Sequence, residues 1–270
     1  MSHEQKRGLI IPIGGRENKI AGPKVLQRFV DECGGKDASI AIIPTASKMA
    51  DTGDNYIEVF KSLGVKHAHN LKIEKRADCS NPEYLEHVAN ATGVFMTGGN
   101  QLLLSTILGG TPIAQLIRRR NVAGVHVAGT SAGAAFISEH MIAGGQTGLI
   151  PRSGMVVLAP GLGLVNKIIV DQHFSQRGRL GRLLTALSYN PFLTGVGIDE
   201  DTAAFLNADS VIEAVGSGIV TIIDMSKLQY SSIHQVGYNQ PVSLSGITVH
   251  IMTEGQKYDL HQHKLLNDAI

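Results

Sequence analysis

Short apolar runs rich in Ile and Val recur along the chain, and each is closed by Gly, Pro, Thr or Asn. The clearest lie at 9–13, 40–43, 94–96, 125–127, 168–170 and 196–198. Near-continuous apolar strands of this kind suit a parallel sheet covered on both faces. Helix-spaced stretches lie between them: Val25, Leu26, Phe29 and Val30; Tyr56, Ile57, Val59, Phe60 and Leu63; then 102–108 and 113–117. Alternation of strand and helix predicts a doubly wound α/β fold, a mostly parallel sheet flanked by helices, over the first two-thirds of the chain. After about Asp199 the pattern changes. Strand-like runs at 203–206, 211–215 and 219–223 are separated by Asn207-Ala208-Asp209 and Gly216-Ser217-Gly218, which suit hairpins. They predict a C-terminal antiparallel extension. With no linker and no internal repeat, 1–270 reads as a single domain.

Composition narrows the function classes. Hydrophobic residues make up 43% of the 270, enough for a sizeable core. Lys and Arg number 24 against 23 Asp and Glu, a formal net charge of +1, so no global charge favours nucleic acid or an anionic membrane. Cys33 and Cys79 cannot build a disulfide framework. No apolar run reaches membrane length, and the N-terminal one ends at Pro12 and Gly14-Gly15. A cytoplasmic protein is expected.

The strongest local signal is Gly129-Thr130-Ser131-Ala132-Gly133, between a strand at 124–128 and a helix-compatible run at 134–140. A strand, sharp turn and helix in this order is the setting of an exposed nucleophilic serine. The helix start behind it offers N–H groups to an oxyanion. A serine needs a base, and His173 ends the apolar strand 168–170, where polar side chains of an α/β fold meet the ligand crevice. His140 falls about two turns along the helix and points away. The base needs an orienting carboxylate, and the next strand ends in Asp199-Glu200-Asp201. Glu200 shares the parity of Val196 and Ile198, a weak preference among three consecutive acids. The order Ser, His, acid differs from that of the α/β-hydrolases.

Phe95-Met96-Thr97-Gly98-Gly99-Asn100-Gln101 is a second strand-to-helix turn, whose glycines let backbone N–H groups approach an anion. Arg177, Arg179 and Arg182 open an apparent helix and suit carboxylates; Arg179 and Arg182, three apart, could clamp one between them. Gly14-Gly15 lacks a full nucleotide-loop pattern, and His67-x-His69 and His261-x-His263 are isolated pairs. No metal or cofactor is expected.

These motifs together resemble the cyanophycinases, serine peptidases related to the aspartyl dipeptidases (peptidase E), which share the class I glutamine amidotransferase-like fold. The resemblance runs from about Gly8 to the end of the chain. It rests on Gly-Thr-Ser-Ala-Gly-Ala at 129–134, Phe-Met-Thr-Gly-Gly-Asn-Gln at 95–101 and Asp-Gln-His-Phe-x-x-Arg-x-Arg-x-x-Arg-Leu at 171–183. Gly-Ile-Asp-Glu at 197–200 and Ile-Pro-Thr-Ala-Ser at 43–47 agree with it. It implies Ser131 as nucleophile, His173 as base, Glu200 as orienting acid, and the N–H groups of Gly99 and Ala132 as oxyanion hole. It places Gln101, Asp171, Gln172, Arg177, Arg179 and Arg182 in the substrate pocket. The implied substrate is cyanophycin, an α-linked polyaspartate carrying arginine on its side-chain carboxyls, and the product is β-Asp-Arg. A cytoplasmic homodimer is the implied form. The alternatives are an α-aspartyl dipeptidase and, in a different class, a flavodoxin-like module that binds an anion without catalysis.

Overall fold

The computed structural model describes residues 6–266. The first half of the chain contributes β1 (Ile10–Ile13), α1 (Lys24–Glu32), β2 (Ser39–Ile43), α2 (Thr52–Ser62), β3 (His67–Asn70), α3 (Pro82–Asn90), β4 (Gly93–Met96), α4 (Gln101–Leu108), α5 (Pro112–Val122), β5 (His126–Thr130) and α6 (Ala132–Phe136). Then come β6 (His140–Gly145), β7 (Val156–Pro160), β8 (Ile168–Gln172), α7 (Leu180–Tyr189), β9 (Thr194–Ile198), β10 (Thr202–Leu206), β11 (Val211–Gly216) and β12 (Val220–Asp224). Short strands close the described chain: β13 (Tyr230–Ser231), β14 (Leu244–Ser245), β15 (Thr248–Met252), β16 (Lys257–Asp259) and β17 (Lys264–Leu266).

The principal sheet has nine strands in the order β17-β16-β11-β10-β1-β5-β4-β2-β3. From β1 to β3 its strands are parallel, and β10, β11, β16 and β17 extend it antiparallel beyond β1. Its inner strands β1, β2 and β4 are almost wholly apolar and buried because both faces are covered. Along β2, Ile40 and Ile42 join a core with Phe29, Phe60 and Phe95, under α1 and α2. Ala41 and Ile43 join the opposite core with Leu104, Ile113 and Ile117, under α4 and α5. This alternation follows from the period of two along a strand. Helices α1, α2, α4 and α5 fall where apolar spacing predicts them, and α1 buries Val25, Leu26, Phe29 and Val30.

Three expectations need correction. The runs at 168–170 and 196–198 do not join the principal sheet; they form β8 and β9 of a second, four-stranded sheet, β15-β12-β9-β8. Both sheets have strands buried on two faces, β8, β9 and β12 in the second as β1 and β4 in the first, so burial pattern alone does not tell them apart. The separator Gly216-Ser217-Gly218 is consequently no hairpin: β11 belongs to the first sheet, whereas β12 pairs with β9 and β15. The helix after Ser131 stops at Phe136, and His140 opens β6. There the chain is drawn into extended pairing, with Ser138 bridged to Val165. β3, α3 and the β6–β7 hairpin have no counterpart in the sequence reading. β3 is a half-exposed edge strand of sequence His-Ala-His-Asn, without an apolar run to mark it.

Candidate active site

The two sheets bring three chain segments to one seam. Ser131 follows β5 at the carboxyl edge of the principal sheet, while His173 follows β8 in the second sheet. Glu200 sits where the chain leaves β9 and crosses to β10. The Ser131 hydroxyl lies 2.8 Å from His173 Nε2, and His173 Nδ1 lies 2.7 Å from Glu200 Oε1. A histidine proton on Nδ1 is held by the carboxylate, which leaves Nε2 free to accept from the serine. Both Ser131 (φ 52°) and His173 (φ 49°) have left-handed backbone, a strained state for residues with a side chain.

Burial lowers the pKa of His173; the hydrogen bond it donates to Glu200 pulls the other way, and the charge of Arg177 adds to the lowering. The imidazole is therefore biased to the neutral, proton-accepting form. Glu200 is the acid that reaches it. Asp199 instead accepts from the N–H groups of Ser175 and Ile219, and Asp201 accepts from the Asn18 N–H and the Ser217 hydroxyl.

The Gly98-Gly99 turn closes one side of the serine. A Cβ on Gly98 would sit 3.3 Å from that of Ser131. Gly99 has φ 142°, and a Cβ there would stand 2.0 Å from the Ala46 carbonyl oxygen, so only glycine fits. Ala132 opens α6, where its N–H has no acceptor four residues back within the helix. Ala132 thus directly follows the serine, and Gly99 sits on the turn whose Gly98 packs against it.

The remaining predicted residues divide. Arg177 is exposed. The Gln101 amide nitrogen donates to the carbonyls of Ile142 (3.0 Å) and Ala143 (2.9 Å). Asp171, Gln172, Arg179 and Arg182 are all buried. Arg182 grips Asp171 through Nε (2.6 Å) and a second, shorter bond from Nη2. Arg179 reaches Asp171 at 3.4 Å and donates to the side chain and carbonyl of Gln172. Burial brings Arg179 down to about 10, and burial likewise pushes Asp171 up against the pull of Arg182. The spacing of Arg179 and Arg182 does clamp one carboxylate, but that carboxylate is Asp171. The side chains of Asp171, Arg179 and Arg182 are at most 8% exposed and pair with one another, while Arg179 Nε is buried without a hydrogen-bond partner. Together they form a buried charged cluster around the strand end that precedes His173.

The turn after β1 escaped the sequence reading. Gly15 lies against the His173 ring, and a Cβ there would stand 2.4 Å from Cε1. The carbonyls of Ile13, Gly14 and Gly15 accept from the N–H groups of Ser131, His173 and Asp201. Arg16 Nε lies 3.5 Å from Glu200 Oε1. Gly14-Gly15 was visible as a glycine pair after a strand. Its partners, more than a hundred residues away, left no local trace. Among the described residues no group of three or more His, Cys, Asp or Glu is placed to hold a metal ion, and no helix is long and apolar enough to cross a membrane.

Known proteins are similar to this chain over most of its length. A cyanophycinase of Geminocystis herdmanii is 43% identical over 260 residues, covering 96% of both chains. Cyanophycinases of Thermosynechococcus vestitus and Trichormus variabilis are each 40% identical, covering 99% and 95% of this chain and 84% and 87% of theirs. A crystal structure of a peptidase from an acI-B1 actinobacterium superposes with TM-score 0.69 at 22% identity, over 94% of this chain and 98% of that one. A Listeria monocytogenes structure described as peptidase E gives 0.55 at 16%, over 78% and 100%. These two show the fold alone. The sequence model of peptidase family S51 matches residues 9–214, and with it the chain belongs to that family.

Proposed function

We propose that the protein is a cyanophycinase, a serine peptidase that releases β-Asp-Arg from cyanophycin. The chemistry rests on one observation: the unbroken chain of hydrogen bonds from Ser131 through His173 to Glu200. The choice of substrate rests on likeness to relatives bearing that name over nearly the whole chain.

The reaction follows from the geometry. Ser131 Oγ attacks the scissile carbonyl as its proton passes to His173 Nε2, and Glu200 stabilises the imidazolium through Nδ1–H. Negative charge developing on the carbonyl oxygen meets the N–H groups of Gly99 and Ala132. Collapse breaks the amide bond, His173 returns the proton to the leaving amine, and an ester on Ser131 remains. Water, deprotonated by His173, hydrolyses that ester and restores the serine.

Arg177, exposed beside His173, is the arginine free to meet a substrate carboxylate. With the Gln101 amide nitrogen committed to backbone, its carbonyl oxygen is the acceptor left for a substrate guanidinium. Asp171, Gln172, Arg179 and Arg182 act from behind, by fixing the segment that carries His173. A cytoplasmic homodimer is the form the family likeness suggests; light scattering and cell fractionation test it.

Two of the three arginines face inward, so the trio no longer separates a cyanophycinase from an α-aspartyl dipeptidase. Product analysis does. Incubated separately with purified cyanophycin and with α-aspartyl dipeptides, the protein should release β-Asp-Arg from the polymer, detected by mass, and cleave the dipeptides poorly. Dipeptides cleaved as well as the polymer would favour the dipeptidase.

A further inference from the structure

Glu17 is a buried carboxylate that the reaction does not use. Its side chain is 1% exposed. One oxygen accepts from the Thr130 hydroxyl at 2.5 Å; the other accepts from the Tyr56 hydroxyl and lies 3.2 Å from Lys19 Nζ. Lys19 in turn stands over the Tyr56 ring, 5.1 Å from its centre. Burial, then the charge of Glu17, raises the Tyr56 pKa, so its phenol stays protonated and donates. Every strong partner of this carboxylate is thus defined.

Its position matters more than its bonds. Thr130 is the last residue of β5, register partner of Ile13 in β1, and directly precedes Ser131. Glu17 lies on the same turn whose carbonyls at 13, 14 and 15 receive the N–H groups of Ser131, His173 and Asp201. Its neighbour Asn18 donates its N–H to Asp201 at 2.7 Å. One five-residue turn, 14–18, therefore touches all three segments of the hydrogen-bonded chain. Ser131 at φ 52° persists only if its surroundings over-determine it. A buried ion pair is a poor source of stability, because desolvation offsets its attraction. Its value here is geometric.

We propose that Glu17 is a positioning residue for the nucleophile. By gripping Thr130 from the turn that also accepts the backbone N–H groups of His173 and Asp201, it holds the strained Ser131 backbone in register with its base. The inference rests on Ser131 being the nucleophile.

The test compares Glu17→Gln, Thr130→Val and Thr130→Ser. Thr130→Val keeps the shape and removes the hydroxyl; Thr130→Ser keeps the hydroxyl. Two readouts are needed: steady-state kinetics on cyanophycin, and the rate at which a fluorophosphonate probe labels the serine, which does not depend on the identity of the substrate. Glu17→Gln and Thr130→Val should lower kcat and the labelling rate by about 10–100-fold, with KM changing less than about threefold, and Thr130→Ser should restore both. If Glu17→Gln does not fold, Thr130→Val decides. Folded Thr130→Val with kcat and labelling within about twofold of wild type would overturn the inference. So would a fall in KM-dependent binding alone. A wild-type protein that takes no label would remove the serine reading, and this inference with it.

Discussion

At His173, opposing influences meet on one ring. Burial takes the imidazole below the ordinary value of 6.5, Glu200 opposes, and Arg177 reinforces the lowering. Catalysis needs the neutral base, whose fraction rises as pH rises through the pKa. A lowered pKa therefore places the acid limb of kcat/KM below pH 6.5. Removing a neighbouring positive charge makes the imidazolium easier to form, so Arg177→Gln should move that limb upward, toward 6.5. A pH–rate profile of both proteins checks this; a downward shift in the variant would contradict it. Arg182 gives a second residue-scale prediction. It is 4% exposed and bound twice to a carboxylate with no exposure. Arg182→Met would leave Asp171 buried without its main partner, and should lower folding stability by about 3–5 kcal/mol, as for other broken buried pairs. Denaturant unfolding measures it. Unchanged stability with lost activity would return Arg182 to the role of a substrate ligand. The sequence shows the arginines and Asp171 within one motif, yet not which way they point: a charge cluster on an amphipathic segment is compatible with either face.

Among the elements, the strand ends decide what each polar residue does. The turn after β9 carries three acids, and only the middle one reaches His173. Its neighbours tie that turn to backbone N–H groups on other segments. Glu200→Gln should therefore lower kcat with little effect on melting, since it alters the group that orients the base. Asp199→Asn and Asp201→Asn should act the other way, on stability more than on rate. Kinetics and melting curves of the three variants settle it, and equal rate losses would remove the distinction. Parity hints at Glu200 in the sequence, but it says nothing of the hydrogen bonds that occupy its neighbours. Ser131 and His173 were legible because each closes an apolar strand, a local signal. The turn at 14–18 was not. Its residues act through partners at 130, 173 and 200–201, and local pattern cannot report contacts of that range.

Across the whole molecule, the candidate active site is a junction between two sheets rather than the edge of one. The nine-stranded sheet supplies the serine, the N–H groups of Gly99 and Ala132 and the turn after β1; the four-stranded sheet supplies the histidine, and the acid lies on the crossing between them. Strand-and-helix alternation foretold the first sheet. The second was hidden because its strands are as apolar as those of the first, and only their partners differ. Every element of the proposed reaction converges on Ser131, whose replacement by alanine exchanges one small side chain for another. The direct test is therefore to incubate wild type and Ser131→Ala with purified cyanophycin and follow β-Asp-Arg by mass spectrometry. The wild type should release the dipeptide, and the variant, folded and melting as the wild type does, should release almost none. Release by the variant within about tenfold of wild type, a barrier change of only about 1.4 kcal/mol, or no dipeptide from the wild type, would contradict the account.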